Sequence, residues 1–305
     1  MVRGMSTINF QDLTKEDKPV LDRYFASGYY ENSHFNFTNF FMWREPYHVK
    51  WAEEDGVLYM TCEWENELMA IQPFGPEEKW PEATANIIAY FEQQQRPLVF
   101  TGIEKAYAEF LQQYEGADFD VEDDRDNWDY VYEAEKLISL SGRKLHSKKN
   151  HLNAFRKLHP EAEYLPITEN IITACKIELN NWYKLRIQDE PDDPFIGWER
   201  KAILEIFDDY EFFKLKGGAI RLDSRIIAFT FGEPLNADTA VIHVEKADPN
   251  IRGAYPAINQ GFVEHAWSDM TYINREEDMG HEGLRKAKES YKPVKMIEKF
   301  NARRR

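Results

Sequence analysis

Apolar residues recur along this chain with two periods, and the periods alternate in the same order in each half. In the first half, weak alternation over 7–12 predicts a strand. Thr14 is suited to cap a helix that Gly28 stops. A second, aromatic helix is expected over 37–44, ending before Pro46. Runs at 48–53, 57–63 and 67–72, joined through Asp55-Gly56 and Glu65-Asn66, predict an antiparallel meander. A helix over 81–94, a short strand over 98–102, a helix over 104–114 and a strand pair at 119–122 and 129–133 follow.

The second half repeats that order. A strand is expected over 163–167. Ile171, Ala174, Cys175, Leu179 and Trp182 place a helix over 170–186. After a Pro-rich loop (189–194) comes a helix over 195–210. Strands follow over 218–222, 225–232 and 239–246, then a helix over 255–267, a strand over 271–274, a helix over 282–291 and a last strand over 294–300. No residue-level repeat accompanies this architectural one. The connector, RKLHSKKNHLNAFRK, predicts a basic helix over 144–158. The expected division is therefore a first domain over 1–140 and a second over 141–305.

Composition changes the picture little. At 305 residues, 43% hydrophobic and 14% aromatic, the chain has material for two cores. Its formal charge of -16 argues against DNA or any long polyanion. The basic connector and the basic tail from Arg285 to Arg305 instead suit one anionic ligand, or are solvated helix faces. Cys62 and Cys175 lack metal-ligand spacing and read as buried thiols of a reducing compartment. No apolar run reaches membrane-spanning length, and no secretory leader is seen, so a cytoplasmic protein is expected. No metal site is expected.

Candidate chemistry concentrates between Thr239 and Tyr291. Alternation along the 239–246 strand puts His243 and Glu245 on the face opposite Ile242 and Val244. A histidine titrates near neutrality, and a carboxylate can accept a proton from an attacking amine. Either is a candidate base; the structural alternatives are a hydrogen-bonded histidine and a strand-end ion pair with Lys246 or Arg252. Asn274, Arg275, Glu276, Glu277 and Asp278 end the next strand. Arg275 suits a carboxylate or phosphate because its fork binds bidentately. Glu276 and Asp278 suit a cationic amine, or fix the loop as ion pairs. Lys288 suits a phosphate or the charge of a tetrahedral intermediate, or is a favourable cation near a helix C-terminus. Tyr291 is a candidate acid or a buried ring. Lys148 and Lys149 on the connector are candidate phosphate ligands or solvated charges.

The segments DYVYEAEKLISLSGRKLHSKKNHLNAF, HVEKADPNIRGAYPAINQGF and YINREEDMGHEGLRKAKESYKP resemble the C-terminal domain of phosphatidylglycerol lysyltransferases. The order of elements resembles two tandem GCN5-related N-acetyltransferase (GNAT) domains, as in Fem-type aminoacyltransferases. The resemblance implies an α+β fold of two GNAT-like domains, each a mostly antiparallel mixed sheet flanked by helices. It implies a site in the second domain, between the splayed strands at 239–246 and 271–274, and a first domain that is structural or substrate-shaping. In that family the cofactor pyrophosphate sits on amides after the first of these strands. Here the position is held by Asn250, Ile251, Arg252, Gly253, Ala254 and Tyr255, and only Gly253 matches the signature. Tyr255 would crowd a phosphate, which weighs against ordinary coenzyme A.

The reading is an acyltransferase moving an aminoacyl or acyl group to an amine or hydroxyl. Backbone amides near Gly253 would hold an oxyanion or phosphate. The resemblance implies no tightly bound cofactor, with aminoacyl-tRNA or acyl-CoA as co-substrate. Its implied partners are a small-molecule or lipid-headgroup acceptor and a tRNA acceptor end. Location would be cytoplasmic, or peripheral at the inner membrane surface. The alternative is a non-catalytic GNAT-fold module binding a small anionic or zwitterionic ligand.

Overall fold

The computed structural model describes residues 8–189 and 194–305. Most of the Pro-rich loop, and Thr7 of the first expected strand, lie outside them. In order the elements are β1 (Gln11–Asp12), α1 (Lys18–Ser27), α2 (Phe37–Trp43), β2 (Lys50–Glu54), β3 (Val57–Trp64), β4 (Glu67–Ala70), α3 (Trp80–Gln93), β5 (Val99–Glu104), α4 (Lys105–Gln112), β6 (Phe119–Asp123), β7 (Asp129–Glu133), α5 (Ala134–Ser139), α6 (His146–Leu158), β8 (Glu163–Pro166), α7 (Glu169–Asp189), α8 (Pro194–Asp208), α9 (Tyr210–Phe213), β9 (Lys216–Leu222), β10 (Arg225–Pro234), β11 (Thr239–Ala247), α10 (Ala254–Ala266), β12 (Tyr272–Asn274), α11 (Glu282–Glu289), β13 (Lys295–Ile297) and β14 (Lys299–Arg304).

The chain folds into two units. The first runs to Trp128 and takes back Ile297–Arg305; the second is Asp129–Met296. This differs from a division at residue 140. The run Asp129–Glu133 pairs antiparallel with β12, so its buried Tyr130, Val131 and Tyr132 belong to the second core. The apolar link at Leu137 is helical and starts directly at the end of β7.

In the first unit a seven-stranded sheet has the order β1-β2-β3-β4-β5-β14-β6. The meander β2-β3-β4 is antiparallel, and its turns carry Asp55-Gly56 and Glu65-Asn66 at positive φ, as the turn residues predict. The parallel contact of β4 with β5 is confined to Ala70 and Phe100. The C-terminal strand β14 inserts antiparallel between β5 and β6. One strand expected over 294–300 is thus two, β13 in the second sheet and β14 in the first. The tail arginines pair with this unit's own acids: Arg303 with Glu67, Arg304 with Glu92 and Arg305 with Asp120. The tail is therefore a paired edge-to-edge strand and not a free basic arm.

The second sheet has the order β13-β7-β12-β11-β10-β9-β8. Again one neighbouring pair, β11 and β12, is parallel within a largely antiparallel sheet. Helix α10 covers one face, where Ala257, Ile258 and Phe262 pack with Ala228, Ala240 and Ile242. Trp182 of α7 stacks on Phe229 of β10, and Phe207 of α8 meets the same ring edge-on. Both cysteines are buried and free. Among the described residues, no helix is long and apolar enough to cross a membrane, and no group of His, Cys, Asp and Glu could hold a metal ion.

Candidate functional site

Strands β11 and β12 pair only at Thr239–Tyr272, Ala240–Ile273 and Val241–Asn274. Beyond that point the gap is bridged by side chains. Arg275 Nη2 donates to Glu245 Oε1 at 2.9 Å, and Asn259 Nδ2 of α10 donates to Glu245 Oε2 at 2.8 Å. Glu245 and Arg275 side chains are each 13% exposed. Arg275 Nη1 and Asn259 Oδ1 are buried without a hydrogen-bond partner, so a donor and an acceptor remain unspent on either side of the carboxylate.

Aromatic rings surround this pair. The guanidinium carbon of Arg275 lies 4.8 Å from the centroid of Tyr291 and 5.6 Å from that of Tyr132. Lys148 Nζ, from the connector helix, lies 4.4 Å from the Tyr291 centroid. Burial, more than the neighbouring charges, pushes the Tyr291 phenol up to about 12 and keeps it protonated at neutral pH. Burial first, and then the charge of Arg275, lowers Lys148. Glu245, Arg275, Tyr291 and Lys148 are therefore brought together, whereas Lys149 is exposed on the same helix.

The strand carrying Glu245 is not regular. Thr230 of β10 faces Glu245 and Phe231 faces Val244, but Gly232 faces Ile242, which leaves His243 in a β-bulge. Gly232 is required there, because a Cβ would fall 2.1 Å from the Val241 carbonyl oxygen. Thr230 and Gly232 share a face of β10, so Glu245 and Ile242 share that face too. The bulge thereby overturns the simple alternation that set Glu245 opposite Ile242 and beside His243.

His243 is clamped between two carboxylates. Its Nε2 lies 3.0 Å from Glu233 Oε1 and its Nδ1 lies 3.0 Å from Glu276 Oε1. The side chain is 1% exposed. Burial alone would lower its pKa, but the bonds to Glu233 and Glu276 and their charges outweigh it and raise the group to about 9. The imidazolium then donates from both nitrogens and has no lone pair for an incoming proton. The geometry suits a structural clamp in place of the expected base, and Glu276 is correspondingly occupied.

The loop 274–280 is held from below. Asn274 Oδ1 accepts from the Glu276 amide, and its Nδ2 donates to the buried Asp129. Lys288 Nζ donates to the carbonyls of Arg275, Glu276 and Glu277, with the Glu276 oxygen at 3.0 Å. That ammonium fixes a backbone turn and is not available to a phosphate. Asp278 is fully buried and accepts from Tyr130 Oη, the Gly280 amide and both arms of Arg285. Although burial opposes its charge, these donors hold its carboxyl below the usual range. Asp278 is thus an internal anchor, with no capacity left for a substrate amine.

Three amides of the expected phosphate cradle are already bonded. Asp248 Oδ1 accepts from the Asn250 amide, and the amides of Ile251 and Ala254 bond to the carbonyls of Asp248 and Ile251. Gly253 has φ +90°, and a Cβ there would lie 2.8 Å from Phe155 Cβ and 2.9 Å from the His151 carbonyl oxygen. The connector helix therefore packs closely against this loop at Gly253. Asn250 and Arg252 are exposed at the rim, and Tyr255 is 44% exposed. Two surface depressions lie elsewhere: one includes Lys105, Glu109 and Trp128, the other Arg156, Tyr164 and His265.

Sequence reasoning missed Asn259, Tyr132 and Glu233. Two adjacent amides, Asn259 and Gln260, inside an otherwise apolar helix were the available signal for the first. Tyr132 was signalled by the Tyr-Val-Tyr alternation. Nothing local marks Glu233, whose role depends on the bulge.

Two mixed sheets flanked by helices, each with one parallel strand pair, give this chain a tandem GNAT-like fold. It belongs to the family described as phosphatidylglycerol lysyltransferase, C-terminal, which it matches over residues 28–303. It is similar to a conserved protein of unknown function from Bacteroides thetaiotaomicron, with 33% identity and a TM-score of 0.91 over 98% of this chain and 100% of that one. The L-PGS structure from Bacillus licheniformis shares the fold, with a TM-score of 0.68 at 14% identity over 94% of this chain and 92% of that one. An uncharacterised Mycoplasmoides gallisepticum protein is 28% identical over 174 residues, 56% of this chain and 54% of that one. The chain thus spans about half the length of that curated relative.

Proposed function

We propose that the second unit transfers an aminoacyl or acyl group to an amine or hydroxyl acceptor. The observation that supports this most is Glu245, oriented by Arg275 and Asn259 at the mouth of the splayed strands. Two donors fix the carboxylate but use only part of its acceptor capacity. In this reading the acceptor attacks the acyl carbonyl, and Glu245 takes the proton that the nucleophile loses, directly or through water. The carbonyl carbon then expels the ester or thioester leaving group. The neutral Tyr291 phenol supplies a proton to that leaving atom. Arg275 positions Glu245 through their ion pair.

The occupied amides of Asn250, Ile251 and Ala254 support an aminoacyl ester, as on charged tRNA, over coenzyme A as the donor. The acceptor is a small molecule or a lipid headgroup, met in the cytoplasm or at a membrane surface. The test incubates the full chain with charged tRNA or with acyl-CoA plus amine acceptors, scoring transfer and donor hydrolysis. Transfer that Glu245→Gln abolishes supports the reading. No turnover of either donor sinks it.

The spent amides of that loop also favour a second reading, a GNAT-fold module that binds a small anionic or zwitterionic ligand without reaction. Thermal stabilisation by amino acids or headgroup analogues, with neither donor consumed, selects this one.

A further inference from the structure

Two cations at the site have unspent donors. Among the described residues Lys148 has no hydrogen-bond or ion-pair partner, although it is half-buried against the Tyr291 ring. Arg275 Nη1, on a guanidinium that contacts the same ring, is buried and unpaired. A buried donor left unmade costs about 1–3 kcal/mol, more when it is charged. Their charges are also unequal in compensation. Arg275 is balanced by Glu245 at 2.9 Å, whereas no carboxylate balances Lys148. The group as a whole is one positive charge in excess.

We propose that Lys148 Nζ and Arg275 Nη1 form a seat for one oxyanion, a carboxylate or phosphodiester monoanion, beside the Tyr291 ring. One negative charge completes the balance of Lys148, Arg275 and Glu245. A planar or tetrahedral oxyanion offers two acceptor oxygens, one for each cation. The Tyr291 ring that both cations touch, with Tyr132 beside Arg275, lowers the local dielectric and strengthens the contact to Arg275 most. The half-buried Lys148 is the side from which the anion arrives; Arg275, deeper, fixes its orientation. The seat deepens the transferase reading of the same cleft and rests on it only for what the anion belongs to. In that reading it holds the negative group of a substrate while Glu245 works at the reacting end.

The experiment titrates the full chain with dimethyl phosphate and, separately, with acetate, following the Arg275 side-chain N–H resonances by NMR. No acyl donor is present, so the outcome is independent of any transfer. Saturable shifts of these resonances are expected with at least one probe, and the stronger probe tells phosphodiester from carboxylate. Lys148→Ala should weaken binding about tenfold, Lys148→Arg should hold within about threefold, and the exposed Lys157→Ala should match wild type. A resonance spectrum unchanged outside the site shows that the variants are folded, and Lys148→Gln serves if Lys148→Ala is not. Absence of saturable binding to both probes, or equal losses in Lys148→Ala and Lys157→Ala, overturns the seat. Anion binding without any transfer activity keeps the seat and removes the transferase reading.

Discussion

Glu245 and Arg275 meet at 2.9 Å across the point where β11 and β12 stop pairing. Neither residue is a backbone neighbour of the other, so the ion pair closes what the sheet leaves open. Substituting Glu245→Gln removes the base, and it turns one of the two acceptor oxygens into a donor that faces Arg275 or Asn259. Transfer should fall about 100-fold or more. Arg275→Ala strands a largely buried carboxylate and should cost about 3 kcal/mol of stability, read by urea denaturation. An Arg275→Ala protein as stable as wild type would contradict the pairing.

The His243 clamp makes a pH prediction. Its folded pKa, about 9, lies above the ordinary 6.5. The extra proton affinity stabilises the fold fully below about pH 6.5 and is lost as pH rises through 9. A shift of this size corresponds to about 3 kcal/mol at most. Urea midpoints at pH 6, 7.5 and 9.5 should fall with pH in wild type. The slope over that window should be clearly smaller in His243→Gln.

Arg285 shields the buried carboxylate of Asp278. Removing the guanidinium in Arg285→Ala takes away the cation that balances this charge, while donors such as Tyr130 Oη and the Gly280 amide remain. A loss of about 3 kcal/mol is expected. The paired change Asp278→Asn with Arg285→Met should recover part of it. A double-mutant cycle on thermal unfolding measures the coupling; additive losses would refute it.

Two glycines are predicted to be intolerant for different reasons. Gly253→Ala meets the connector helix at 2.8 Å and also takes a left-handed backbone with φ +90°. Gly232→Ala drives a Cβ to 2.1 Å from a strand carbonyl and should break the bulge. Each should cost about 2 kcal/mol or more. In contrast, Gly283→Ala, where a Cβ meets nothing within 4 Å, should be neutral or stabilising. Calorimetry of the three variants separates these outcomes.

Lys288→Met tests the loop anchor. It removes the ammonium that holds the carbonyls of Arg275, Glu276 and Glu277. Amide hydrogen exchange across 274–280 should speed up by about tenfold or more. Protection unchanged from wild type would show that the loop is held by other means.

Much of this architecture was legible along the chain. Period-2 runs flanked by Asp55-Gly56 and Glu65-Asn66 specified the meander because those turns need residues that tolerate positive φ. Helical spacing of Ile171, Cys175 and Leu179 specified α7, because one face of it had to be buried. The cluster of polar residues in 239–291 pointed to the correct region for the same reason: local pattern encodes burial, and unexplained polarity stands out from it. Tertiary structure alone decided the rest. A one-residue bulge opposite Gly232 divided His243 from Glu245, and no local signal counts strand register. Ion pairing sorted the charges, assigning Glu276, Asp278 and Lys288 to support and leaving Lys148 and Arg275 with unspent donors, because a charge's role depends on what reaches it across the sheet. The destination of the last strand was likewise settled by pairing between β5 and β6, where Gly102 meets Asn301 across 199 residues of chain. Periodicity is a local property and reports which side of an element is buried; partnership is a long-range one, and it is partnership that made the site.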